Sequence, residues 1–130
     1  MAGYQRTLLG QEIDDGRRLI DALKKAALRP RAALWCYFPD TDEWRLAIST
    51  PLVDRVGYLK TYERIGAVMS KMKPPVAFTL SDISAQSPHS GLTEIAKATA
   101  RAEAPSAEGF RFVGKPIGHR AVEEAYVYSI

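Results

Sequence analysis

The sequence predicts an α+β domain, and three observations carry that expectation. Two long stretches repeat apolar residues at helical spacing, several short stretches are rich in β-forming residues, and the β-type stretches come in adjacent pairs. Adjacent strands joined by short turns pair antiparallel, whereas a doubly wound parallel sheet needs a helix between successive strands. The expected order is α-β-β-α-β-α-β-β. We expect one domain over residues 1–130, with about five strands in a mainly antiparallel or mixed sheet, three helices and a loosely ordered start over residues 1–10.

Residues 11–29, QEIDDGRRLIDALKKAALR, place Ile13, Gly16, Ile20, Leu23 and Ala27 at alternating steps of three and four, with Leu19 and Ala26 widening the stripe. This is the pattern of an amphipathic helix. Glu12, Asp14 and Asp15 fall in its first turn and Lys24, Lys25 and Arg29 in its last, which suits the helix dipole. Asp14 with Arg18 and Asp21 with Lys25 have i, i+4 spacing, worth about 0.2–0.5 kcal/mol per pair. Pro30 is expected to stop the helix.

AALWCYF (32–38) and WRLAIST (44–50) flank the polar loop PDTDE, so they read as an antiparallel hairpin. Trp44, Leu46 and Ile48 alternate with Arg45, Ala47 and Ser49, giving one buried face. The first strand is apolar on both faces, as suits a central strand.

A second helix is expected over 54–73, where Tyr58, Tyr62, Ile65, Met69 and Met72 form a stripe broadened by Leu59 and Val68. The prolines of KPP (73–75) end it, and VAFTLSDIS (76–84) follows as a third strand. Ser87 and Pro88 can open a third helix through 104, lined by Leu92, Ile95, Ala96, Thr99 and Ala102. Strands near 109–114 and 121–130 complete the chain.

The composition, 46% hydrophobic and 25% charged, is that of a folded globular chain. No apolar run approaches the roughly 20 residues of a membrane span. The only cysteine, Cys36, has no internal disulfide partner and lies in an apolar run, so an inert core thiol and a reducing cytoplasm are expected. Lys and Arg number 18 against 15 acids, a balance too even to imply a dedicated nucleic-acid binder.

The stretch GFRFVGKPIGH (109–119) has the Gly-x4-Gly-Lys frame of a phosphate-cradling loop but departs from it in three ways. Pro116 stands where Ser or Thr would hold magnesium, the lysine opens a turn instead of a helix, and the intervening residues alternate like a strand. What remains is a basic turn, with Arg111, Lys115, His119 and Arg120 as candidate anion-binding residues and no acid between 109 and 122.

Other constellations are weaker. His89 and His119 lack metal-ligand spacing, and Asp40 with Asp42 suits a turn better than a calcium loop. Asp82, Glu123, Glu124 and Lys115 form the set a small metal-dependent nuclease or other phosphoryl-transfer enzyme would need, although their spacing does not require them to meet. No cofactor and no metal are expected.

The ending VEEAYVYSI, together with ALWCYFPDTDEWRLAISTPLVD, resembles small bacterial proteins of unassigned function that end in a similar Ala-Tyr-aliphatic-Tyr strand. The resemblance spans much of the chain and implies a bacterial, cytoplasmic α+β domain. It supplies no catalytic residue and no ligand.

The functional expectation is a non-enzymatic interaction domain, accessory or regulatory, working through protein contact or self-association. Tyr126, Val127 and Tyr128 are the candidate strand-pairing interface, should the last strand lie at a sheet edge. The alternative is a nucleic-acid- or anion-binding protein that uses the basic turn.

Overall fold

The first helix, α1 (Gly10–Lys25), is closed by an alanine two residues beyond it and not by the expected proline. In this computed structural model, which describes residues 8, 10–38, 41–90, 110–113 and 124–128, Ala27 takes a left-handed φ of 65°. Its N–H bonds to Lys24 O (3.1 Å), and the Leu28 N–H reaches back to Leu23 O (3.0 Å). These two bonds form a Schellman end, with Leu23 and Leu28 both buried beneath it. Pro30 comes too late to act. Arg18 also differs from expectation, bonding to Asp15 and not to Asp14.

Strands β1 (Ala32–Phe38) and β2 (Glu43–Ser49) form the expected antiparallel hairpin, with Trp35 opposite Leu46 and Tyr37 opposite Trp44. Helix α2 (Leu52–Ser70) then crosses over, and β3 (Ile83–Gln86) returns parallel to β2 with Ile83 opposite Leu46. Strands β4 (Phe110–Val113) and β5 (Glu124–Val127) pair antiparallel, and β5 also pairs antiparallel with β1. The sheet order is β3-β2-β1-β5-β4, so the sheet is mixed and the fold is α+β.

The third strand starts later than its β-rich composition predicts. Residues 76–79 are irregular and Leu80–Asp82 form a 3-10 turn, because Asp82 Oδ2 accepts the Thr79 N–H (2.9 Å) and closes the turn on itself. The expected third helix falls mostly on 91–104, outside the described residues. Its proposed opening, 87–90, is a turn in which Ser90 N–H bonds to Ser87 O (3.0 Å). Of the expected loose start, only Leu8 and Gly10 are described, and Leu8 is buried.

Among the described residues one core gathers a sheet face, α1 and α2. Ala33, Trp35 and Tyr37 of β1 share it with Leu46 and Ile48 of β2, Ile83 and Ala85 of β3, and Tyr128 just after β5. Leu19, Ile20 and Leu23 of α1 and Ile65 of α2 close it from above, and Trp35 meets Phe78 edge-on with ring centroids 5.2 Å apart. The opposite face of β1 is buried too, at Leu34 and Cys36, as its apolar composition predicts.

Helix α2 is two helical segments joined at Gly57, whose φ of 88° and ψ of 171° leave the helical region. Such a conformation suits glycine, since a Cβ would strain it. The break interrupts the expected stripe. Ile65 is fully buried and Tyr62, Val68, Met69 and Met72 partly so, but Tyr58 and Leu59, just past the break, stand in solvent.

Candidate functional site

The residues expected to pair with another chain are built into the fold instead. Strand β5 has β1 on one side and β4 on the other, so its backbone offers no open edge at Tyr126 and Val127. Val127 and Tyr128 are buried, at 3% and 4% exposure. The Tyr128 hydroxyl accepts the Trp35 Nε1–H (2.9 Å) and donates to Ile13 O (2.6 Å), while its N–H bonds to Ala33 O (2.9 Å). Burial pushes this phenol well above its usual pKa, and the Trp35 hydrogen bond opposes that only in part. The Arg17 guanidinium lies 5.3 Å from its ring centroid. Tyr128 is thus a pin between α1 and the sheet, and Tyr126 and Val127 lie on a strand paired on both sides, so the edge position on which the interface expectation for Tyr126, Val127 and Tyr128 depends is not the one they take.

Asp15 is the second buried polar junction. Its Oδ1 accepts from Gln11 Nε2 (3.0 Å) and Arg18 Nη1 (2.9 Å), and its Oδ2 accepts the Ala77 N–H (2.8 Å). Arg18 also donates to Pro74 O (2.5 Å), so this pair fastens α1 to the loop after α2. Burial raises the carboxyl pKa, but the hydrogen bonds from Gln11, Arg18 and Ala77, with the Arg18 charge, outweigh it and hold the pKa below its ordinary 3.8. A carboxylate with both oxygens engaged is a structural clasp, not a poised base.

The outer edge of β3 is also occupied. Gln86 O accepts the Thr50 N–H, so alternation turns the backbone groups of Ile83 and Ala85 away from β2. The Tyr62 hydroxyl meets them there, accepting the Ala85 N–H (2.9 Å) and donating to Ile83 O (3.5 Å). Arg45 Nη2 adds a contact to Ile83 O (3.3 Å). A side chain on the edge blunts it against strand addition.

Of the proposed enzymatic set, only Asp82 and the backbone of Glu124 fall among the described residues. Asp82 caps its own turn, and Glu124 sits on β5 opposite Tyr37, three strand spacings or roughly 14 Å across the sheet. Glu123, Lys115, His119 and Arg120 lie outside the described residues; Arg111 lies on β4 opposite Tyr126, with its side chain outside them. Asp40 is outside as well, and the Asp42 carboxylate accepts the Tyr37 hydroxyl (2.5 Å). Among the described residues no group of three His, Cys, Asp or Glu side chains is placed to hold a metal, and no helix is long and apolar enough to cross a membrane.

What the structure does leave open is an apolar surface. Tyr58 is 55% exposed, Leu59 74% and Leu80 36%. Leu80 reaches over the helix at Gly66, where a Cβ would lie 3.3 Å from its Cδ2, and helical spacing links Leu59 to Gly66 through Tyr62. Leu80 thus sits about two helical turns along α2 from Leu59, with the half-buried Tyr62 between them. Periodicity alone places Tyr58 and Leu59 on the stripe of one unbroken helix; the available warning is Gly57, a glycine inside an otherwise helical pattern.

No protein-family model matches the chain, and no curated protein or solved structure matches it either.

Proposed function

We propose that the chain is a non-enzymatic interaction domain of the accessory or regulatory kind, and that it self-associates through the surface of Tyr58, Leu59 and Leu80. The observation that carries this reading is the exposure of Leu59, 74%, beside a Tyr58 that is 55% exposed. Adjacent large apolar side chains in water, continued by Leu80, favour a covering partner. Lys60 and Glu63 flank Leu59 on the same helical segment, so the rim carries both charges. A rim of mixed sign suits a second copy, because a two-fold contact sets each group against its opposite.

The reading is tested by a dilution series of amide NMR spectra. Signals of residues 58–63 and 80 are expected to move with protein concentration while those of β1 stay fixed. Spectra that do not change with concentration contradict it. The alternative, anion or nucleic-acid binding by Arg111, Lys115, His119 and Arg120, draws support from the absence of acids between residues 109 and 122 in the sequence.

A further inference from the structure

A second surface lies apart from the Tyr58–Leu59 face. The last turns of α1 and α2 enclose an open groove, with Ala22 and Ala26 on one wall and Val68 and Met72 on the other. Lys25 stands on the α1 side and Lys71 on the α2 side. Neither lysine forms an ion pair among the described residues, although Asp21 has the i, i+4 spacing to reach Lys25.

Each feature suits one kind of occupant. The alanines, one helical turn apart, keep their wall low, as close approach of another helix at about 8–10 Å between axes requires. Methionine on the facing wall adapts its shape to an incoming side chain. Lysines near helix C-termini offset the helix dipole, which accounts for their charge but not for the apolar floor between them. An apolar floor with a cation on each side is the complement of a helix whose apolar stripe has carboxylates on each flank. A membrane surface fits less well, since the lining is concave and its charges are divided between two walls.

We propose that this groove binds an acidic amphipathic helix of a partner protein, its apolar stripe against Ala22, Ala26, Val68 and Met72 and its carboxylates on Lys25 and Lys71. Binding of this kind adds a docking function to self-association and does not depend on it.

The test uses the full chain and a fluorescein-labelled synthetic peptide with leucines at i, i+3, i+4 and i+7 and glutamates on both flanks, followed by anisotropy. The peptide is expected to bind saturably. Affinity should fall about tenfold or more in the Lys25→Glu, Lys71→Glu double variant, through charge reversal at two exposed sites. Ala26→Leu, which fills the groove from an exposed position, should weaken binding similarly, while Leu59→Glu should leave it unchanged. Circular dichroism confirms that each variant is folded. The proposal is overturned if the peptide does not bind, if the groove variants bind it as well as wild type, or if a peptide with lysines in place of the glutamates binds equally. Binding to phosphatidylglycerol vesicles but not to the peptide also overturns it, and would assign the groove to a lipid surface.

Discussion

The hydroxyl of Tyr128 occupies space that a side chain on Gly16 would need: a Cβ at Gly16 would lie 2.1 Å from that oxygen and 2.9 Å from the ring carbon bearing it. Trp35 Nε1 would be 3.1 Å away, so this helix position tolerates no more than a hydrogen. The contact explains why the chain places glycine in the middle of an amphipathic helix.

Gly16→Ala should therefore destabilise the fold by about 1–3 kcal/mol, although alanine is the better helix former by about 1 kcal/mol. Tyr128→Phe should cost about 1–3 kcal/mol by leaving the buried Trp35 N–H unpaired and removing the Ile13 carbonyl's partner outside the helix. Removing the hydroxyl also relieves the closest clash, so the double variant should cost less than the sum of the singles. Urea denaturation of all four proteins measures this, and strict additivity would break the proposed contact.

Asp15→Asn should cost about 2–4 kcal/mol at neutral pH, because one amide cannot replace an acceptor of three hydrogen bonds, one of them from Arg18. The folded carboxyl has a lowered pKa, so its contribution is complete above the ordinary value of 3.8 and is lost as pH falls through the lower folded value. The gap between wild type and Asp15→Asn should thus hold from pH 7 down to about 4 and narrow below it. A gap that stays constant to pH 2 would show that Asp15 does not titrate in this way.

Ala27 has a φ of 65° at the end of α1, where L-residues are strained. Ala27→Gly should raise stability by about 0.5–1 kcal/mol, an increase readable as a higher urea midpoint. A lower midpoint would contradict the Schellman end.

The Tyr62 hydroxyl covers the outer edge of β3 at Ala85. Tyr62→Phe keeps the ring and removes the acceptor, so hydrogen exchange at the Ala85 amide should accelerate by about tenfold with little change elsewhere. Equal exchange in the two proteins would remove Tyr62 from that edge.

Much of the fold was legible because local chemistry and tertiary packing agree in it. The run Ala32–Phe38 is apolar at every position and becomes a central strand, and the alternation of Trp44, Leu46 and Ile48 sets the register against Trp35 and Tyr37. The failures come where a single backbone conformation overrides a pattern. Ala27 ends α1 before Pro30 through a left-handed φ that no composition rule assigns to alanine, and Gly57 breaks the stripe that periodicity extends through Tyr58 and Leu59. The role of Tyr128 was hidden for a different reason. Alternation at Tyr126, Val127 and Tyr128 identifies a strand, but whether that strand is an edge depends on its neighbours, and β1, one of them, lies far away in sequence.

Self-association through Leu59 is tested most directly by sedimentation velocity over a rising concentration series. Wild type should shift from monomer towards dimer, and Leu59→Glu, altering a side chain 74% exposed and so leaving the fold intact, should remain monomeric throughout. A wild type that stays monomeric at every concentration, or a Leu59→Glu variant that dimerises as strongly as wild type, would contradict the account.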